Sequence, residues 1–201
     1  KEKKEKKEKK DRDVKVEGSD DDKSDSEGGD ELSYGDEEVK VVVNDLTEFV
    51  KTKGKALSVE NMFEEVRAQQ VTKVFDNKVR MYIALSALFP DASFDAKGVK
   101  ERVPYLKQFI SNGSMSFADY IWSVEAYLDA NPGALKAYPM TLKALYDEDL
   151  AEEKDILDWY KGDQESPGFE AAAKACAPFI KWLEEADESG SDSDEDSDES
   201  D

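Results

Sequence analysis

Charge limits what this chain can fold into more than any other feature, because it is gathered into blocks. Lys1 to Lys10 hold seven lysines and three glutamates, residues 11–38 hold thirteen acids and three bases, and residues 184–201 hold eleven acids and no base. Blocks so poor in apolar side chains cannot bury enough surface to offset about 1 to 2 kcal/mol of backbone entropy per ordered residue. They read as disordered tails. Of the formal charge of -21, only -4 falls on residues 39–183, and within that body residues 39–145 carry +2 while residues 146–183 carry -6. The expected plan is a charged linker over 1–38, basic then acidic, a helical domain over 39–187, and an acidic Ser/Asp/Glu tail over 188–201.

The chain has no histidine and a single cysteine, Cys176. Ser-His-Asp and Cys-His nucleophile pairs, imidazole acid–base chemistry and His-ligated zinc all fall away. One cysteine closes no disulfide within the chain, which points to an intracellular, cytoplasmic protein, and its neighbours Ala173, Ala177 and Ile180 suit a small buried hydrophobe. Apolar runs stay far below the roughly 20 residues that span a bilayer. Asp20 to Asp22 and the terminal acids lack the glycine and closing glutamate of a calcium loop. No metal, cofactor or membrane is expected. A start at Lys1 with no apolar segment behind it reads as the cut end of a longer protein rather than a signal peptide.

The body shows helical apolar spacing and almost no strand-like alternation, so the expected fold class is all-α. Helices are predicted over Val41–Lys53, from Ser58 as N-cap, over Asp76–Leu88, over Ala96–Ser111 with a bend at Pro104, from Ser116 as N-cap, over Ala134–Tyr146 running through Pro139, and over Ala151–Lys161. A last one should open at Ser166-Pro167 and run to about Ala186. Seven or eight helices joined by short loops suit stacked antiparallel pairs of the solenoid kind, although no clean repeat is visible.

Two segments exceed ordinary amphipathicity. In Leu145–Tyr160, a spacing of about 100° per residue puts Ile156, Leu157 and Tyr160 on one face and Glu152, Asp155 and Asp158 on another, with Trp159 between. In the last helix Phe169, Ala172, Cys176, Phe179, Ile180 and Leu183 form the core stripe, and Trp182 lies off its centre, near Glu185. Aromatic residues at helical spacing are ordinarily packing. Recurrence in two successive helices, followed by an acidic tail, favours recognition of a lysine-rich peptide, with carboxylates attracting ammonium groups and tryptophan edges taking their aliphatic stems.

These segments, Tyr146-Asp-Glu-Asp-Leu with Ile156-Leu-Asp-Trp159 and Ala177-Pro-Phe-Ile-Lys-Trp-Leu-Glu-Glu-Ala-Asp187, resemble the two acidic and aromatic boxes of W2-type domains. Such domains close the initiation factor 5 family, and the ε subunit of initiation factor 2B carries similar boxes; the lysine-rich, then acidic, leader favours the former. The resemblance is strong residue by residue over about residues 140–188. It implies an atypical HEAT-like α-solenoid and a noncatalytic adaptor role, binding the lysine-rich segment of the initiation factor 2 β subunit, and initiation factors 3 and 1, in the 43S preinitiation complex. The implied binding residues are Asp147, Glu148, Asp149, Glu152, Glu153, Asp155, Asp158 and Trp159, with Trp182, Glu184, Glu185, Asp187 and Glu188. It also implies a full-length parent that activates the GTPase of initiation factor 2 through a separate domain with a four-cysteine zinc ribbon, which one cysteine cannot make. Alternatives are the exchange-factor ε subunit, which would accelerate GDP release, and an acidic chaperone for basic proteins, whose tail alone would bind.

Lys97, Lys100, Arg102 and Lys107 form a second, basic candidate face toward another factor or RNA, but scattered lysines without aromatic partners argue against sequence-specific nucleic-acid binding. Ser19, Ser24, Ser189, Ser191 and Ser193 each stand three residues before an acid and are candidate phosphoacceptors. Each phosphate would add about -1.5 to -2 charges. Phosphorylation should therefore raise affinity for a polylysine peptide at low salt; equal affinities of the two forms would rule this out.

Overall fold

The structure, a computed structural model, describes residues 32–112, 115–162 and 165–190, the last four by their backbone alone. Among these residues it contains eight α-helices and no strand: α1 Glu37–Lys53, α2 Val59–Lys73, α3 Asn77–Leu88, α4 Ala96–Asn112, α5 Phe117–Ala130, α6 Tyr138–Asp147, α7 Glu153–Lys161 and α8 Phe169–Gly190. Single 3-10 turns at Gly54–Ala56 and Pro132–Ala134 join α1 to α2 and α5 to α6.

The N-terminal caps follow the sequence signals. Ser58 Oγ accepts from the Asn61 N–H at 3.1 Å, the Asp76 carboxylate from the Val79 N–H at 2.7 Å, and Ser116 Oγ from the Asp119 N–H at 3.2 Å. Each satisfies an amide that the first helical turn leaves without a partner, typically worth about 1 kcal/mol.

Three boundaries differ from expectation. The body begins before residue 39, because Leu32 and Tyr34 pack on the core; the Tyr34 hydroxyl donates to Asp129 at 3.0 Å and its ring meets Tyr82 and Trp122 edge-on. Counting charge hid these two anchors among acids. No helix runs through Pro139, which stands in the first turn of α6, where its missing N–H costs nothing. Nor does α8 open at Ser166-Pro167: it starts at Phe169, after Gly168 with φ 77°. A Cβ at Gly168 would lie 2.8 Å from the Glu125 carbonyl oxygen, so only glycine lets this turn lie against α5.

The helices stack in two rows. α3 packs between α1 and α5, α4 packs between α2 and α6, and α6 packs on α8; α1 with α2, α2 with α3, and α5 with α8 join the rows. This is the all-α, HEAT-like layout expected from the sequence. α3 is enclosed, with every residue from Val79 to Leu88 buried, which is why its sequence is apolar on all sides rather than striped. Arg80 within it sets its guanidinium 5.7 Å from the Phe63 ring centre and donates to Gln70 at 3.2 Å. The turn after α3 is tied down by the Tyr127 hydroxyl donating to the Phe89 carbonyl at 2.6 Å and the Thr141 hydroxyl donating to the Phe94 carbonyl at 3.2 Å.

Val74 ends α2 in a left-handed conformation, φ 56° and ψ 73°, and is 69% exposed. A β-branched residue there costs roughly 1 to 2 kcal/mol. Because almost nothing is buried by its side chain, Val74→Gly should stabilise the domain by about 0.5 to 1 kcal/mol, visible as a thermal midpoint a few degrees higher.

Candidate protein-binding site

The acids of the first box surround the start of α7. Glu152 is its N-cap, and Glu153 and Asp155 lie in its first turn, where negative charge is favoured by the exposed N–H groups. Asp149, just past α6, takes a left-handed φ of 57° that aspartate tolerates. Together these turn the chain from α6 into α7 and place the carboxylates beside the N-terminal half of α5. Phe117, Ala118 and Ile121 of α5 face Asp155, Asp158 and Trp159 across a cleft of about 370 Å³. An adjoining cleft of about 260 Å³ is lined by Ile110, Met115, Phe117 and Tyr120 on one side and Asp149, Leu150, Glu152 and Asp155 on the other. Phe117 and Asp155 belong to both, so the two form one groove with an apolar floor and an acidic wall. Its α5 side was not anticipated from the sequence, where Phe117 and Ile121 read as core stripe alone.

Trp159 packs inward with one edge bordering the carboxylates, as its angle between the two faces of α7 allows. It is 4% exposed, its Nε1–H donates to Glu125 Oε1 at 2.7 Å, and Phe169 meets its ring edge-on at 5.9 Å. Only an edge reaches the groove, so its contribution there is to hold α7 in place. The face that the sequence left open is covered by α5 and by the residues that begin α8.

Glu125, the anchor of that arrangement, was missed by the sequence reading. It is 1% exposed and accepts from both Trp159 and the Ser166 hydroxyl, which reaches back to it instead of capping α8. A signal existed: Glu125 is an acid set between Val124 and Ala126, with Ile121 and Leu128 one turn away on either side. Burial pushes its carboxyl pKa up, against the two hydrogen bonds that pull it down.

The second box is arranged differently. Trp182 is 46% exposed, stacks on Phe179 with centres 5.7 Å apart, and carries the Lys143 ammonium 5.1 Å from its ring centre. The same ammonium donates to both oxygens of Asp147 at 2.7 and 2.9 Å. Glu184 pairs with Lys161 at 3.3 Å and Glu185 with Lys181 at 3.7 Å. Among the described residues, Asp149, Glu152, Asp155 and Asp158 have no such cation. Glu148 is half-buried at the end of α6, and Glu153 accepts from the Tyr146 hydroxyl at 3.5 Å.

On the basic side, Lys97, Lys100 and Lys107 are exposed on α4, but Arg102 lays its guanidinium 5.2 Å from the Phe89 ring centre and is half-buried there. Cys176 is buried and its thiol is pushed up to about 12 by desolvation, so it stays protonated and unreactive at neutral pH. The side chains of Asp187, Glu188 and Ser189, and all of Ser19, Ser24, Ser191 and Ser193, lie outside the described residues. Among the described residues no helix is long and apolar enough to cross a membrane, and no cluster of His, Cys, Asp or Glu could hold a metal.

Residues 117–199, which carry α5 to α8, match the family model described as W2: eIF4-gamma/eIF5/eIF2-epsilon. Over that span the chain matches a W2 domain. The W2 domain is similar to eukaryotic translation initiation factor 5 of Zea mays, 44% identical over 64 residues that make up 31% of this chain and 14% of the maize protein. It is also similar to the probable eukaryotic translation initiation factor 5-2 of Arabidopsis thaliana, 30% identical over 162 residues, 74% of this chain and 33% of that protein. This chain thus spans a third or less of the length of these relatives. The solved C-terminal domain of translation initiation factor 5 at low pH shares the fold, with a TM-score of 0.56 over 77% of this chain and 97% of that one at 19% identity.

Glu125 makes the W2 domain sensitive to pH in a defined direction. Since its pKa is higher folded than unfolded, its ionisation costs stability as pH rises above the ordinary value of 4.5. Glu125→Gln keeps an acceptor for Trp159 and offers Ser166 a donor. Denaturant titrations should show wild type losing stability relative to this variant as pH climbs above the ordinary value of 4.5, with a constant offset at lower pH; parallel curves throughout would mean that the carboxylate titrates normally.

Proposed function

We propose that this domain is a noncatalytic adaptor of translation initiation that docks a lysine-rich segment of another factor. The observation that carries this reading is the groove between α5 and α7, where Asp149, Glu152, Asp155 and Asp158 stand beside Phe117 and Ile121 with no cation paired to them among the described residues. Carboxylates in that setting attract lysine ammonium groups, while the apolar floor takes their methylene stems or an intervening apolar side chain. The W2 match supports a partner among the translation initiation factors, and we infer that it is the lysine-rich segment of the initiation factor 2 β subunit first, with initiation factors 3 and 1 as further members of a cytoplasmic preinitiation complex. Nothing in this role asks the domain for catalysis; GTPase activation belongs to the parent protein.

Exposed charge pairs are individually weak and screened by salt, so encounter is fast and electrostatic, and register comes from the aromatic and apolar positions. Asp155→Asn with Asp158→Asn should weaken binding of a β-subunit lysine-rich peptide about tenfold at low salt, from about 0.7 kcal/mol per lost exposed pair. Glu184→Gln with Glu185→Gln should cost less, because Lys161 and Lys181 already neutralise those carboxylates. Titration calorimetry at two salt concentrations measures both; unchanged affinity in the Asp155/Asp158 variant would exclude the groove.

A further inference from the structure

The α6–α8 surface already holds a lysine in the manner proposed for a partner's. The Lys143 ammonium lies over the face of Trp182, 5.1 Å from the ring centre, inside the distance of about 6 Å at which a cation gains from an aromatic quadrupole. Both Asp147 oxygens accept from it at 2.7 and 2.9 Å. The Trp182 ring is held in position by its stack on Phe179 and remains 46% exposed. The geometry is therefore a complete ammonium site, one aromatic face and one carboxylate, filled from within the chain.

We propose that Lys143 is a resident stand-in for a partner lysine, and that a lysine-rich segment engages Trp182 and Asp147 by displacing it. This rests on the reading of the domain as a lysine-segment adaptor. Exchange of one primary ammonium for another preserves every contact in the site, so no other rearrangement is required. Lys143 sits four residues before Asp147 on the same helix, an arrangement that holds it close but binds it weakly, since exposed pairs of this kind are marginal. A single free lysine competes poorly with a tethered one. A segment whose other lysines are already held by the α5–α7 carboxylates competes well, because its next ammonium arrives at high effective concentration. Lys143 thereby sets a threshold that favours long basic segments over isolated lysines, and fits the chemistry of an extended, multiply charged peptide.

The test compares Lys143→Ala with Lys154→Ala, which removes an equal charge from exposed α7, in the wild-type and Trp182→Leu backgrounds. The probes are trilysine and decalysine peptides, and thermal midpoints verify folding of each variant. Lys143→Ala should tighten trilysine binding about threefold to tenfold, the range that one freed cation–π contact supplies, and decalysine binding by less. Trp182→Leu keeps apolar cover over Phe179 but removes the indole face, and in that background the gain should fall to that of Lys154→Ala. Equal effects of the two lysine variants in both backgrounds would overturn the inference while leaving the adaptor reading intact. Absence of decalysine binding in wild type and Lys143→Ala alike would overturn both.

Discussion

A buried carboxylate ties together the part of the molecule that carries the acidic boxes. Glu125 on α5 accepts from Trp159 on α7 and from Ser166 in the turn before α8, so one side chain ties both elements to α5. A charge taken out of water is costly unless hydrogen-bonded, and these two donors offset that cost in part. Gly168 allows the turn to approach, since any side chain there would meet the backbone of the same residue, Glu125. The result is an α7 of only nine residues, too short to hold itself, fixed firmly enough to line a groove with α5.

The two rows of helices extend this logic across the domain. α3 is enclosed by its neighbours and supplies the rigid centre, while the surface chemistry is left to α7 and α8 at the far end of the stack. Acid is used there in two ways. Some carboxylates meet lysines of the chain itself, as Asp147, Glu184 and Glu185 do, and others stand along the groove with no such cation among the described residues. A surface of this kind combines a strong local field with a few aromatic positions that give register, which suits reversible association better than tight burial.

Much of this could be read before any coordinates. The caps Ser58 and Ser116, the start of a helix at Asp76 and the all-α class reflect local chemistry, and the structure repeats them. Tyr34 escaped notice because its value lies in a hydrogen bond to Asp129, 95 residues away. Ser166 was misjudged for the same reason: its local environment favours a cap, but a buried acid elsewhere competes for its hydroxyl.

The two tryptophans separate the information held in local helical spacing from that added by long-range packing. Spacing along each helix placed Trp159 and Trp182 at the same shoulder, beside a core stripe and near acids, because helical periodicity is a property of the local chain. Whether a shoulder faces protein or water depends on which other helix lies over it. Over Trp159 come Glu125 and Phe169, and it becomes core; among the described residues Trp182 meets Phe179 of its own helix and the side chain of Lys143, and it stays at the surface. The sequence thus determined the all-α class, the helical phase and the family resemblance, while long-range packing decided which aromatic side chain can meet a partner.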